Sequence, residues 1–287
     1  MIMNDKIANS VYIFMDTVFS IIRLILKTRF KKTISFQTTS DQCLIMGNGP
    51  SLLESLENNK DKLSGLDLVA VNFMALSEEY AEYKPNIYIL CDPAFWFDTT
   101  SEETKIKVKN FYSLISQNTN WKLQLFMPYQ ALKKKEIKEA LSHNPNIRLH
   151  YYNNIKFEGY NFFSYRIYNK QWGMPRAENV VVAALMLAVY SGYKKIYIAG
   201  ADSDYIKHVR VDEENNLRFN DYHYYKDSKK NIETILQIKI HELCISSYYM
   251  FKSYIDIEKY AVYRKTKIYN TGLNSFIDAF EKKNLII

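Results

Sequence analysis

The run Cys43-Leu-Ile-Met-Gly-Asn-Gly-Pro-Ser-Leu52 constrains this chain more than any other stretch. Cys43 to Met46 has the length and apolarity of a short buried strand, and Gly47-Asn48-Gly49 reads as a tight turn. Pro50-Ser51 then opens a helix, because proline's fixed φ and missing N–H suit a first helical turn. Glycines in such a turn let backbone approach a ligand or take φ > 0. A helix N-terminus aimed at it offers unpaired N–H groups and the positive end of a dipole, which suits phosphate. The run is neither the dinucleotide G-x-G-x-x-G nor the P-loop, because the third glycine and the lysine are missing.

The alternation of strand and helix repeats along the chain. Ser51 to Lys62 reads as helix, Leu66 to Val71 as a second strand ending in Asn72, and Leu76 to Tyr83 as helix. Asn86 to Cys91 is a third strand, ending in Asp92-Pro93; Trp121 to Met127 and Asn146 to Tyr152 are two more. Asn153 to Trp172 reads as aromatic and irregular. Arg176-Ala-Glu-Asn leads into a strongly apolar central helix, Val180 to Ser191, stopped at Gly192. Lys195 to Gly200 is a strand with Ala201-Asp-Ser-Asp204 at its carboxyl end. Ile232 to Ile257 is expected as a long or broken helix, Lys267 to Tyr269 as a last strand, and the stretch after Ser275 as a terminal helix. Apolar strands alternating with helices indicate α/β architecture around a parallel sheet covered on both faces.

Two segments stand apart. Within residues 1–36, Val11, Phe14, Val18, Ile21, Ile22 and Ile25 share one helical face, Asp16, Ser20, Arg23 and Lys27 interrupt the other, and Arg29, Lys31 and Lys32 follow. Asp16 and Arg23 argue against a simple span, and no secretory leader is expected, since the start is not basic and no small-residue cleavage site follows. The expectation is an amphipathic helix on the inner membrane surface through residues 8–32, its cations on anionic headgroups, with packing on the domain or on a second copy as the alternative. Thr33 to Gln42 reads as a linker, and residues 37–287 as the α/β domain. Between about 205 and 230 runs a polar, Tyr- and His-bearing loop, too long for a plain connection and expected as a lid.

Composition narrows the partners. The 287 residues carry 38 Lys+Arg against 31 Asp+Glu, a net charge of +7, which favours anionic ligands. No nucleic-acid motif is present, so nucleic acid is not an expected partner. Cys43, Cys91 and Cys244 sit in apolar runs without metal-ligand spacing and are expected as buried thiols of a reducing compartment.

In an open α/β sheet, ligands bind beyond the carboxyl ends of the strands. Here those ends are Asn48, Asn72, Asp92, Asp202, Asp204 and Asn270, a rim suited to ribose, base and sugar hydroxyls beside an anion-binding turn. Arg176 is placed to meet a carboxylate or phosphate bidentately. His223, in Tyr222-His-Tyr224-Tyr225, is the histidine best placed to take a proton from an acceptor hydroxyl, with His208 its rival. Asp202-Ser-Asp204 has the superficial form of the metal-binding Asp-x-Asp of sugar transferases.

These motifs together resemble the bacterial sialyltransferases of glycosyltransferase family 42. The resemblance runs in order over roughly residues 43–280: Leu44 to Leu52 matches the family's G-N-G-P-S-L opening, Val71-Asn72-Phe73 its second strand end, and Leu90 to Phe97 its third. Pro175-Arg176 through Tyr197 matches its Arg-led helix and strand, Tyr222-His223-Tyr224 the place of its catalytic His, and Asn270 with Asn274-Ser275 its closing turn. Two departures stand out: Asp92-Pro93 replaces Asn-Pro, and Glu178-Asn179 replaces the Ser-Gly that meets the donor carboxylate. The resemblance implies a single Rossmann-like, GT-A-like domain that uses CMP-sialic acid and needs no metal. A looser similarity, through G-N-G-P-S-L, Asp92-Pro93 and Gly200-Ala-Asp202, is to the 6-hydroxymethylpterin pyrophosphokinase-like family, and would bring Mg²⁺ and diphosphate chemistry.

The expectation is therefore a glycosyltransferase of surface polysaccharide or lipooligosaccharide synthesis, taking a CMP-activated acidic sugar to a glycan hydroxyl. The alternative is a metal-dependent diphosphate enzyme. The expected catalytic group is His223 with Tyr222, Tyr224 and Asp92. The expected donor-binding group is Gly47, Asn48, Gly49, Ser51, Asn72, Arg176, Asn179, Asp202 and Asn270. No resident cofactor or metal is expected under the first reading. Cytoplasmic residence on the inner face of the membrane, and homo-oligomer formation, complete the expectations.

Overall fold

A computed structural model describes residues 2–31, 36–97, 101–220 and 233–285. Helix α1 (Ile2–Lys27) precedes the sheet, and β1 (Gln42–Met46), α2 (Leu52–Glu57), β2 (Asp67–Val71), α3 (Glu78–Tyr83) and β3 (Ile87–Ile89) follow in strict alternation. Then come α4 (Glu102–Asn118), β4 (Leu123–Pro128), α5 (Lys135–Ser142), β5 (Ile147–Tyr152), α6 (Asn161–Asn169), α7 (Val180–Ser191) and β6 (Lys195–Ala199). β7 (Val209–Val211), β8 (Leu217–Asn220), β9 (Glu233–Leu236), α8 (Ile240–Tyr263), β10 (Lys267–Asn270) and β11 (Glu281–Lys282) complete the described elements.

Among the described residues, eight strands form one parallel sheet in the order β11-β10-β6-β1-β2-β3-β4-β5. The chain winds outward from β1 to β5, then crosses back to lay β6 on the other side of β1, so the winding reverses between β1 and β6. Such a reversal leaves a crevice at the carboxyl ends, because the flanking connections depart in opposite directions. β7, β8 and β9 make a separate antiparallel sheet, with residues 221–232 between β8 and β9 outside the described residues.

Apolar layers cover both faces of the parallel sheet. α7 is buried along nearly its whole length, between the sheet and α8, which is why it is apolar all round rather than amphipathic. Gly192, at φ 86°, ends it in the left-handed conformation. The other face carries α2 to α5, with Leu52, Phe95, Phe111 and Ile115 against Leu44, Ala70, Tyr88 and Leu125. At the amino ends of the strands, the buried Asp67 carboxylate accepts Thr39 N–H at 2.9 Å, Asn86 Nδ2 at 2.6 Å and the Tyr193 hydroxyl at 2.7 Å. That carboxylate ties the entry of β1 to three elements at the end opposite the crevice.

Several expectations change here. Residues 36–42 are anchored, not a free linker: Phe36 is buried against Phe126, and Gln37 N–H donates to Gln124 Oε1 at 2.7 Å. The irregular aromatic stretch contains α6. The long helix begins at Ile240 after β9, not at Ile232, and turns Cys244 outward, so that only Cys43 and Cys91 of the three cysteines are buried. The stretch after Ser275 is no helix; it ends in β11, with Ile277 and Phe280 buried.

α1 docks by its polar side chains. Thr17 Oγ1 accepts Tyr160 N–H at 3.0 Å, Ser20 Oγ accepts Glu158 N–H at 3.0 Å, and Arg23 donates to Lys156 O at 3.3 Å. Gly159 admits this approach, since a Cβ there would lie 2.0 Å from Thr17 Oγ1. Val11, Phe14, Ile21, Ile22 and Ile25 face outward, while Val18 is half-buried. By length and composition, residues Ile7–Lys27 are long and apolar enough to cross a membrane.

Candidate functional site

The tips of β1, β2, β3 and β6 converge on one cleft of about 540 Å³ at the winding reversal. Asn48, Gly49, Asn72, Asp92, Asn179, Asp202 and Asp204 all line it, together with Glu178, Tyr205, His208 and Phe219. Phe219 lies on β8, so the small antiparallel sheet forms one wall.

The glycine turn is closed from within. Gly47 N–H donates to Ala199 O at 2.8 Å and Gly49 N–H to Gly200 O at 2.7 Å. A Cβ on Gly47 would lie 2.2 Å from Gly200 O. These glycines therefore admit the β6 backbone, and their N–H groups are already engaged. Gly200 itself takes φ 63°, a left-handed turn that favours glycine. The next residue in line, Asp202, turns its carboxylate back so that Oδ2 accepts Ser51 N–H at 3.2 Å. The start of α2 thus holds an anion of its own chain, not an open place for phosphate.

Asn72 sits at φ 43°, a left-handed position that Asn tolerates better than most residues. Its carbonyl accepts the Tyr88 hydroxyl at 2.6 Å, and its Oδ1 accepts Cys91 N–H at 3.4 Å. The side chain thereby links the tips of β2 and β3. Asp92 Oδ1 accepts Ala94 N–H at 2.9 Å and starts the 3₁₀ turn Pro93–Phe95.

α8 braces the segment that enters α7. Ser253 Oγ donates to Arg176 O at 2.8 Å, Ser246 Oγ to Glu178 Oε2 at 3.1 Å, and Asn179 Nδ2 donates to the Tyr254 hydroxyl at 2.9 Å. Asn179 Oδ1 accepts Val182 N–H at 3.1 Å, capping α7. Burial pushes the Tyr254 hydroxyl up to about 12, against hydrogen bonds with Asn179 and Ser203, so it stays protonated. Tyr254 and the Ser246/Ser253 pair escaped the sequence reading. A hydroxyl inside a long apolar helix gives no sign of its partner until the fold supplies one.

Other expected residues lie elsewhere. Arg176 does not line the cleft: its guanidinium pairs with Glu178 and lies 4.2 Å over the Tyr249 ring. Asn270, 1% exposed, is spent on its own turn, its Oδ1 accepting Gly272 N–H at 3.0 Å. Gly47 and Ser51 are also outside the cleft lining; Ser51 borders a separate polar depression with Thr271, Gly272 and Asn274. Tyr222, His223 and Tyr224 lie outside the described residues. Among the described histidines, His208 is the one on the cleft, its Nε2 3.6 Å from Asp204 Oδ2. Among the described residues, no three His, Cys, Asp or Glu gather as metal ligands.

No protein-family model matches the chain, and no curated protein sequence matches it significantly. Among solved structures, the MAf glycosyltransferase from Magnetospirillum magneticum AMB-1 superposes on 94% of this chain with a TM-score of 0.50 at 11% identity. This chain spans 38% of that protein's length. Sialyltransferase CstII from Campylobacter jejuni, in complex with the substrate analogue CMP-3FNeuAc, gives a TM-score of 0.45 at 18% identity over 85% of this chain and 86% of that one. The alpha-2,3-sialyltransferase from Campylobacter jejuni in apo form gives 0.41 at 17% identity, over 90% and 87%. What this chain shares with the first of these is its α/β fold.

Proposed function

We propose that this chain is a glycosyltransferase of surface-glycan synthesis, moving sialic acid or a related acidic sugar from a CMP-activated donor to a glycan hydroxyl. The observation that carries the reading is the meeting of four strand tips, with their Asn and Asp side chains, in one cleft under the β7–β9 sheet. The G-N-G-P-S-L opening and its ordered companions supply the donor class by resemblance.

Asn48, Asn72 and Asn179 supply neutral donors and acceptors for a nucleotide sugar. Transfer needs a base on the acceptor hydroxyl. That oxygen then bonds to the anomeric carbon, the bond from that carbon to the phosphate oxygen breaks, and the electron pair leaves on CMP. His223 is assigned as the base, with Tyr222 or Tyr224 donating to the leaving phosphate. A positioned base accelerates such a step by about 10²-fold or more. His223→Ala is therefore expected to lose that factor, whereas a wild-type rate in that variant and a matching loss in His208→Ala would move the role to His208. Attachment to the inner face of the membrane through α1 belongs to the same reading.

Asp92, Asp202 and Asp204 line one cleft without gathering as a ligand set, and a second reading, a metal-dependent diphosphate enzyme, rests on that shared cleft alone. A thermal-shift panel separates the two. Stabilisation by CMP without divalent metal supports the first, and stabilisation by UDP, GDP or ATP only with Mg²⁺ supports the second.

A further inference from the structure

Helix α6 runs beside α1, and both bond to the short segment 156–158 that lies between them. On one edge of that segment, Lys156 O accepts Arg23 of α1 at 3.3 Å and Glu158 N–H donates to Ser20 Oγ at 3.0 Å. On the other edge, Phe157 O accepts the Tyr168 hydroxyl of α6 at 2.7 Å. The two helices also meet at both ends. Thr17 Oγ1 accepts Tyr160 N–H just before α6, and Thr28 Oγ1 donates to Trp172 O at 3.0 Å just after it. Phe30 then sets its ring edge-on to Trp172, with 4.8 Å between ring centres. α6 therefore follows α1 from Thr17 to Thr28 in the same direction, and α1 is tied along the domain over that length.

The outer side of α6 continues the chemistry of α1. Phe162 and Phe163 are 59% and 43% exposed, and Phe30 is 54% exposed. Lys27, Arg29, Lys31, Arg166 and Lys170 are exposed as well, and residues 17–31 and 160–172 contain no Asp or Glu. Among the described residues these cations face aromatic rings rather than carboxylates: Arg166 lies 4.0 Å over Phe162, Lys170 4.3 Å over Trp172 and Arg29 5.6 Å over Tyr129. Scattered exposed aromatics are ordinary, but a Phe pair under a guanidinium, next to an apolar helix face and with charge of one sign, has the composition of a headgroup boundary. A two-fold contact between copies is disfavoured, because it would set these cations against themselves.

We propose that α6 is a second anchor to an anionic bilayer. Phe162 and Phe163 enter the boundary between headgroups and acyl chains beside the apolar face of α1, while Arg166 and Lys170 meet lipid phosphates. The inference rests on attachment through α1 and adds a fixed orientation to it, since two parallel contacts stop the domain from rolling about α1.

The test sediments the full chain with vesicles of phosphatidylcholine alone and of an equal mixture with phosphatidylglycerol. Wild type is expected to bind the mixed vesicles and to bind phosphatidylcholine far more weakly. Phe162→Ser with Phe163→Ser weakens binding to the mixed vesicles about tenfold or more and melts like wild type, because both rings are exposed. Arg166→Gln with Lys170→Gln weakens it by about tenfold or more and flattens its dependence on salt. Phe163→Trp keeps an aromatic ring, binds like wild type and gains fluorescence that brominated acyl chains quench; no quenching beyond that of the native tryptophans overturns insertion. If Ile22→Glu with Ile25→Glu abolishes binding while the Phe pair leaves it unchanged, attachment through α1 stands and the second anchor falls. No vesicle binding by wild type overturns both. A Phe-pair variant that turns a dimer into a monomer by light scattering, with lipid binding unchanged, assigns the face to a second copy and overturns the anchor.

Discussion

Asp202 Oδ2 accepts the backbone N–H of Ser51 at 3.2 Å, across a gap that a side chain at position 49 would close, since a Cβ there would lie 2.3 Å from that oxygen. The contact joins the tip of β6 to the start of α2 at the winding reversal. It also leaves a fixed negative charge on the cleft wall, where an anionic donor is proposed to bind.

Replacing Asp202 tests both consequences. Asp202→Ala removes the acceptor at the helix start, a loss of about 1 kcal/mol. For a chain of this size that lowers the melting temperature by about 2–4 °C. Asp202→Asn keeps an acceptor and removes the charge. It is expected to melt near wild type and to bind a CMP-sugar severalfold more tightly by calorimetry, because a like charge is gone. A loss of ligand binding in Asp202→Asn, restored by no concentration of Mg²⁺, would instead favour the metal-dependent reading.

Asn72 separates backbone from side chain. Asn72→Gly keeps the left-handed turn, whereas Asn72→Ala keeps a Cβ at φ 43° without the local hydrogen bonding that lets Asn tolerate it, and loses about 1 kcal/mol more than the glycine variant. Both lose the acceptor for Cys91 N–H and the polar group on the cleft. Calorimetry should show donor binding weakened about tenfold or more in both, equivalent to one lost hydrogen bond of about 1.4 kcal/mol. Wild-type affinity in Asn72→Gly would remove Asn72 from the site.

His150 predicts an acid limb in stability. Burial, with Arg148 nearby, holds its imidazole below the ordinary value; the ring stacks on Phe126 at 4.7 Å and its buried Nε2 has no partner. The native state therefore binds fewer protons than the unfolded chain. Stability is full above the ordinary histidine range and falls as pH drops through it, levelling off below the native value. Thermal melts between pH 8 and pH 5 should show a slope that His150→Phe flattens; an unchanged slope would assign the acid limb to other groups.

The outward face of α1 predicts membrane attachment. Ile22→Glu with Ile25→Glu places charge on exposed positions, so thermal stability should change by no more than about 0.5 kcal/mol. Co-sedimentation with anionic vesicles should fall sharply in that variant and weaken with salt in the wild type. A wild-type chain that stays in the supernatant would refute the attachment.

The places of β1 to β6 and β10 along the chain were legible in the sequence because each is a short apolar run, and the polar tips because Asn or Asp follows several of them; the order of the strands in the sheet was not. Nor was the purpose of the glycines. Gly47 and Gly49 both look like ligand-facing glycines in any linear reading; Gly49 does line the cleft, and only the crossover of β6 beside β1 shows that both also admit Ala199 and Gly200. Asn270 carries the same residue type as the cleft asparagines but closes a turn instead, a distinction set by the Gly272 N–H two residues on. Arg176 reads as an anion clamp until Glu178 is seen beside it. α4 escaped the reading although Ser101-Glu-Glu-Thr104 is a recognisable helix start, with Ser101 Oγ accepting Thr104 N–H at 3.2 Å. β11 replaced the expected terminal helix because Ile277 and Phe280 are buried where the chain returns to pair Tyr269 with Glu281.

The most direct test of the proposed chemistry is release of CMP from CMP-sialic acid by the purified full chain, followed by chromatography with and without EDTA. Slow release without acceptor, faster release with a glycan acceptor, and no effect of EDTA are predicted. No release from any CMP-sugar, by a chain whose melting temperature rises only with a nucleoside diphosphate or triphosphate and Mg²⁺, would contradict transfer from a CMP-activated donor.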